Sequence, residues 1–186
     1  MTHRDKASYR SRAGAKLDEA LTRFNVDVTG KVCADLGSNV GGFVDCLLRR
    51  GAGLVHAVDT AEGVLDWSLR NDLRVIVHER TNALGFRLDE PVDLVTVDVG
   101  WTRQHLVLPR ALELVRRGGV IVSLIKPHYE ADRAMLRGGV LSDEDAETVL
   151  GRTIRRLADL RIGVAECVES PLRGDRGNRE WLALFR

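Results

Sequence analysis

Apolar residues recur along this chain in two rhythms. Between residues 13 and 24, Ala13, Leu17, Ala20, Leu21 and Phe24 fall at the three- and four-residue spacing of one helical face, with Ser11 ahead of them. From Lys31 onwards, short runs of Val, Ile and Leu alternate with amphipathic stretches. The runs predict strands at about 31–36, 53–59, 73–78, 92–98, 118–125, 162–169 and 179–185. The stretches between them predict helices at about 41–50, 62–70, 103–116 and 142–161. Val92-Asp93-Leu94-Val95-Thr96-Val97 and Val120-Ile121-Val122-Ser123-Leu124-Ile125 are nearly continuous in apolar residues, which suits strands covered on both faces. Alternation of β and α predicts a Rossmann-like α/β fold, with a seven-stranded, mostly parallel sheet and helices on both faces. The last strand follows its predecessor through a short loop and is expected to run antiparallel. Without a linker or repeat, the expectation is one domain over 13–186, preceded by a basic arm over 1–12.

In such a sheet a ligand lies outside the carboxyl ends of the strands, so polar residues there are the candidates for chemistry. The first strand ends in Asp35-Leu36-Gly37-Ser38-Asn39-Val40-Gly41-Gly42-Phe43, a glycine-rich turn into a helix that brings bare backbone N–H groups to a helix N-terminus. Asp59 closes the second strand, 24 residues beyond Asp35, where a carboxylate is placed to accept the hydroxyls of a ribose. The glycine spacing is G-x-x-x-G-G and not the G-x-G-x-x-G of a pyrophosphate-binding turn. The loop therefore points to S-adenosylmethionine, which has a ribose and an adenine but no phosphate. The alternative is that the glycines only allow tight strand–helix packing. Thr81 and Asn82 follow the third strand, within reach of an adenine. Asp98 ends the fourth strand and Lys126 the fifth, on neighbouring strands at one sheet edge, so their side chains can meet. A lysine there can orient an alcohol and accept its proton, or form a plain ion pair. Asp98-Val99-Gly100-Trp101 lacks the Asn/Asp-Pro-Pro-aromatic pattern that cradles an exocyclic amine, which favours an oxygen acceptor.

Composition narrows this only in part. The 186 residues carry a net charge of +1, so no global basic field announces a nucleic acid. Local charge has to carry that argument: Arg10 and Arg12 in the arm, and Arg173, Arg176 and Arg179 in a loop before the last strand, are candidate phosphate contacts, the alternative for the arm being a solvated tail. Only four of the 28 basic residues are lysine, and Lys16 and Lys126 are two of them. Lysine, unlike arginine, can lose its proton near neutral pH when its surroundings are tuned. No run of apolar residues is long enough for a transmembrane helix, and Met1 to Lys6 has no apolar signal region. Cys33, Cys46 and Cys167 sit in apolar runs and read as buried thiols of a cytoplasmic protein. None has metal-ligand spacing, and no metal is expected.

Several segments together resemble the FtsJ-like ribose 2′-O-methyltransferases, and within them the TlyA (hemolysin A) type. They are Ser11-Arg12-Ala13-Gly14-Ala15-Lys16-Leu17, the Asp35 to Phe43 loop, Leu65-Asp66-Trp67, Leu69-Arg70-Asn71-Asp72, Glu79-Arg80-Thr81-Asn82, Thr96-Val97-Asp98, Leu124-Ile125-Lys126-Pro127, Gly138-Gly139-Val140 and Gly177-Asn178-Arg179-Glu180. The likeness covers about residues 9–186. It implies a class I methyltransferase fold, S-adenosylmethionine as cofactor, and a Lys-Asp-Lys-Glu tetrad at Lys16, Asp98, Lys126 and Glu180. In that reading Lys126 is the base, Asp98 and Glu180 tune it, and Lys16 positions the acceptor hydroxyl or a nearby phosphate. The implied partners are RNA and a ribosomal subunit. TlyA-type proteins usually carry an N-terminal S4 RNA-binding module, against which this sequence shows a short basic arm, so a protein partner in place of that module is expected. Gly100-Trp101-Thr102 replaces the Ser-Phe-Ile-type sequence usual after the tetrad Asp, which makes Trp101 a candidate acceptor contact. Two other readings stay open: an O-methyltransferase whose small hydroxylated acceptor is enclosed by Trp101 and Tyr129, and a non-catalytic module that binds S-adenosylmethionine or RNA.

Overall fold

The computed structural model describes residues 9–186, so the part of the arm at residues 1–8 lies outside the described residues. Strands β1 (Val32–Leu36), β2 (Leu54–Val58), β3 (Val75–His78), β4 (Val92–Val97), β5 (Val115–Ile125), β6 (Val164–Glu169) and β7 (Trp181–Phe185) form one sheet in the order β3-β2-β1-β4-β5-β7-β6. β1 to β5 pair parallel, and β7 inserts antiparallel between β5 and β6. The sheet has the seven strands, the mostly parallel sense and the antiparallel last strand expected. Its order turns back between β1 and β4, since β2 and β3 lie to one side of β1 and β4 to the other. A crevice opens at such a reversal, outside the strand ends, and it lies between the ends of β1 and β4.

The strand pleat sends alternate residues to opposite faces, and both faces are filled. Leu94 and Val122 join one core with Leu17, Leu21, Phe24 and Leu47. Val95 and Ile121 join the other, with Val107, Leu108 and Leu157. The first face is covered by helices α1 (Arg12–Arg23) and α2 (Gly42–Arg49). The second is covered by α4 (Gln104–Leu114) and α6 (Asp143–Asp159). Continuous apolar strands follow from this double cover. α1 starts where the Ser11 side chain accepts from the Ala13 N–H at 3.3 Å. Its first turn lies against that of α2, where a Cβ on Gly42 would collide with Ser11 Oγ. That close approach carries Lys16, on α1, to the carboxyl edge of the sheet.

Three boundaries differ from the periodicity. The expected helix over 62–70 is one turn, α3 (Trp67–Arg70), started by Asp66, which accepts from the Ser68 N–H. Leu65 and Leu69 pack under the glycine loop, so an apolar spacing that imitates a longer helix is satisfied by an irregular segment. β5 begins at Val115 and not near 118, with its register to β4 broken between Val92 and Leu94. A one-turn helix, α5 (Pro127–Glu130), follows Lys126 directly, with proline in its first turn where no N–H is missed. Cys33 and Cys46 are buried as expected, but Cys167 is exposed, because β6 is an edge strand.

Candidate active site

β1 delivers Asp35, one residue before the strand's end. Its side chain is fully buried, and Thr96, from the same level of β4, donates to Oδ1 at 2.6 Å. The other oxygen, Oδ2, is buried without a partner. Burial pushes this carboxyl up to about 7; the Thr96 bond works the other way, and the charges of Asp98 and Asp59 add to the rise. A buried carboxyl with one empty acceptor in a cavity wall suits a cationic ligand group. Past Asp35 the backbone turns at Gly37, with φ +91°, and a Cβ there would lie 2.5 Å from the Asp98 carbonyl. Only glycine lets the two strand ends approach so closely. Gly41 caps α2 in the left-handed region and supplies no side-chain bond to the first turn.

Two cavities meet where these strand ends approach, and Gly37, Asn39 and Asp98 line both. The smaller, of about 340 Å³, also contains Asp59, Thr81 and Asn82. Asp59 Oδ2 accepts from the Asn39 N–H and Oδ1 from the Ala61 N–H, each at 2.8 Å. The backbone thus fixes both oxygens and leaves each a lone pair for a ribose hydroxyl. Thr81 is tied to Asp59 through its own N–H. The larger cavity, of about 530 Å³, is lined by Asp35, Ser38, Gly42 and Phe43 on the glycine side, and by Lys16, Lys126 and Glu180 across from them.

These last residues arrive from three elements. Lys126 directly follows β5, and its Nζ lies 2.5 Å from Oδ1 of Asp98, which directly follows neighbouring β4. Lys16 comes from α1 and Glu180 from the residue before β7; both are nearly buried and their Nζ and Oε2 are 2.5 Å apart. The four residues expected as a tetrad therefore form two ion pairs facing one cavity. Glu180 bonds Lys16 and acts on Lys126 only at longer range. Burial alone would lower the Lys126 ammonium, but Asp98 first, then Glu180 and Tyr129, hold it above the ordinary lysine range.

Two further cavity residues, His128 and Tyr129, lie on α5. Tyr129 stacks on Trp101, with ring centroids 4.3 Å apart, and Lys126 Nζ lies 5.3 Å from the Tyr129 centroid. Trp101 is 71% exposed and sits at φ 55°, a costly conformation for a bulky residue. Burial, then the charges of Lys126, Lys16 and Arg176, push His128 down to about 4, so it is neutral at physiological pH. Sequence reasoning passed over His128; its place two residues after a strand-end lysine was the available signal.

The candidate phosphate contacts separate. Arg173 is bound to Asp143, and Arg179 to Glu169 and Glu147, so both are engaged in holding their loop. Arg12 pairs with Asp175, and Arg10 approaches Asp66 at 3.7 Å. Arg12 and Arg176 line the larger cavity.

The sequence model of the FtsJ-like methyltransferases matches residues 9–186. The chain belongs to the FtsJ-like methyltransferase family. Within the curated relatives it is 36% identical to Hemolysin A of Brachyspira hyodysenteriae, an alignment covering 95% of this chain and 76% of that protein. It is 40% identical to the 16S/23S rRNA (cytidine-2′-O)-methyltransferase TlyA of Mycobacterium tuberculosis, covering 95% and 68%. A solved hemolysin-type chain from Streptococcus thermophilus superposes with a TM-score of 0.91 at 34% identity, over 97% of this chain and 68% of that one. Aeropyrum pernix fibrillarin, solved with natively bound S-adenosyl-L-methionine, shares the fold at a TM-score of 0.65 and 21% identity, over 96% and 75%. The two lysine–carboxylate pairs line the larger cavity at the carboxyl ends of β1 and β4 in this FtsJ-like chain.

Proposed function

We propose that this chain uses S-adenosylmethionine to methylate a ribose 2′-hydroxyl of RNA, with ribosomal RNA as the favoured substrate, in the cytoplasm. The observation that carries the reading is the pair of ion pairs, Lys126–Asp98 and Lys16–Glu180, facing one cavity that opens onto the glycine loop. The relatives named as rRNA (cytidine-2′-O)-methyltransferases support the choice of acceptor.

The residues present fit the cofactor. The unpartnered Asp35 Oδ2 suits its positive end, Asp59 suits its ribose, and Thr81 and Asn82 line the cavity left for the adenine. When bound, S-adenosylmethionine supplies an electrophilic methyl group on a sulfonium. The chain's own task is alignment of an acceptor oxygen with that methyl. Lys126 enters as the ammonium, fixed by Asp98, and can donate to the acceptor oxygen and orient it. As the new O–C bond forms, the hydroxyl proton must leave. Lys126 can take it only as the amine, and a second positive charge beside it moves its equilibrium that way. Lys16, held by Glu180, faces the same space and can hold the acceptor from its other side.

Labelled methyl from S-adenosylmethionine, offered in parallel to ribosomal subunits, free ribosomal RNA and a small-molecule extract, tests the reading. Incorporation into RNA supports it. Label only in the small-molecule fraction would instead establish the metabolite acceptor enclosed by Trp101 and Tyr129.

A further inference from the structure

Four cations line the larger cavity: Arg12, Lys16, Lys126 and Arg176. Three of them are matched one to one with carboxylates, namely Asp175, Glu180 and Asp98. The remaining carboxyl, Asp35, is fully buried at the end of β1 and bonded to Thr96. Among the described residues Arg176 has no carboxylate partner. The cavity wall thus carries one uncompensated guanidinium.

The loop around it is built to hold it. Arg173 grips Asp143 through both terminal nitrogens and also donates to the Gly177 carbonyl. Arg179 grips Glu169 and Glu147 and lies over the Trp181 ring, 4.8 Å from its centroid. Asn178 accepts from the Leu141 N–H and donates to the Gly139 carbonyl, each at 3.0 Å. The 138–141 turn is thereby stitched to the 173–179 loop. Arg176 lies over that stitch, close enough that a Cβ on Gly139 would meet its Nη1 at 2.8 Å. Two arginines of the loop are spent on internal bonds, while the third, exposed at the rim, faces the cavity. Its charge, with those of Lys126 and Lys16, acts on His128, so the three cations share one neighbourhood.

We infer, resting on the reading of this chain as an RNA ribose methyltransferase, that Arg176 anchors the phosphodiester next to the acceptor ribose. A ribose 2′-oxygen sits on the carbon beside the one that carries the 3′-phosphate, so a hydroxyl held near Lys126 brings a phosphate within a few bonds of it. A guanidinium fork matches two phosphate oxygens, and a rim position leaves the backbone room to pass. Arg176 is a positioning residue: it fixes the ribose that Lys126 and Lys16 then address.

The test compares the wild type with Arg176→Ala, Arg176→Lys and Arg173→Ala. A fluorescent single-stranded oligocytidylate is titrated over a range of salt. Each lost phosphate contact should lower the log–log slope by about 0.7. Arg176→Ala is expected to lose about that much, and Arg173→Ala to lose none. S-adenosylmethionine affinity, measured by calorimetry, is expected to stay within twofold in Arg176→Ala. On ribosomal RNA, kcat/KM should fall roughly tenfold to a hundredfold in Arg176→Ala, the scale of a charge-assisted bond, and recover in part in Arg176→Lys. A neutral methylphosphonate beside the acceptor should slow the wild type as much as the alanine variant, and the two changes together should cost no more than either. Weakened cofactor binding in Arg176→Ala would overturn the inference, because the guanidinium would then serve the cofactor's carboxylate. Methyl transfer to RNA with slope and kcat/KM unchanged by the substitution would also overturn it while leaving the proposed function intact. A slope lowered in Arg176→Ala, with no methyl transfer to any RNA, would keep the phosphate site and sink the proposed function.

Discussion

The proposed placement of the cofactor's positive end at Asp35 ties its binding to pH in a calculable way. The Asp35 carboxyl is fully buried, its Oδ2 is unpartnered, and it titrates at about 7. S-adenosylmethionine brings a sulfonium and an ammonium, and a cation beside Asp35 favours its ionised form. If binding requires the carboxylate, the apparent dissociation constant is multiplied by one plus ten to the power of the carboxyl pKa minus the pH. That factor is about 2 at pH 7.0 and about 30 at pH 5.5, a loss of about fifteenfold or 1.6 kcal/mol over a window below the ligand's own α-amine. At pH 7.0 about half a proton should be released per ligand bound. Calorimetry in two buffers of different ionisation enthalpy measures both quantities. Asp35→Asn keeps the shape and leaves an oxygen for Thr96, so it should bind weakly at every pH and release no proton. The same shift bears on stability. The folded carboxyl is raised above its ordinary value, so its contribution is fully present below about pH 4 and is lost as pH rises through 7, by about 4 kcal/mol in the free protein. Wild-type affinity that is level from pH 5.5 to 7.0, with no proton release, would refute the placement of the cofactor's positive end at Asp35.

Other expectations follow from the same geometry. Asp59→Ala should weaken cofactor binding by about 1–3 kcal/mol in calorimetry, since Asp59 is already fixed by two backbone N–H groups. Lys126→Ala should spare cofactor affinity and reduce single-turnover transfer at least roughly 10²–10⁴-fold; Lys126→Arg should be nearly as inactive if the proton must pass through the amine. Lys16→Met strands the almost fully buried Glu180 and should cost about 3–5 kcal/mol in denaturant unfolding, while Lys16→Met with Glu180→Gln should recover a good part of that.

How much of this was legible in the sequence depends on whether the information was local. Asp35, the glycine loop and Asp59 could be placed by spacing, because a strand, a turn and a helix follow one another directly. The meeting of Asp98 and Lys126 was legible for the same reason: each directly follows a strand, and β4 and β5 are neighbours. The partner of Glu180 was not. Lys16 lies 164 residues away in the chain, and only the packing of α1 against α2 and the insertion of β7 beside β5 bring the two together. The three loop arginines looked alike in sequence. Acids on α6 and β6 take two of them, which no local pattern announces. The helix expected over 62–70 failed because Leu65 and Leu69 are apolar for the sake of the glycine loop above them, and not for a helix of their own.

The central claim is that this site places a methyl group on a ribose 2′-oxygen. The direct measurement is labelled transfer to ribosomal RNA followed by alkaline hydrolysis. Alkali cuts a phosphodiester through the neighbouring 2′-hydroxyl, so a 2′-O-methyl leaves one linkage uncut. The account predicts label in a single alkali-resistant dinucleotide, absent when Lys126→Ala replaces the wild type. Label released with ordinary mononucleotides, carried on a base, or found only outside RNA would contradict it.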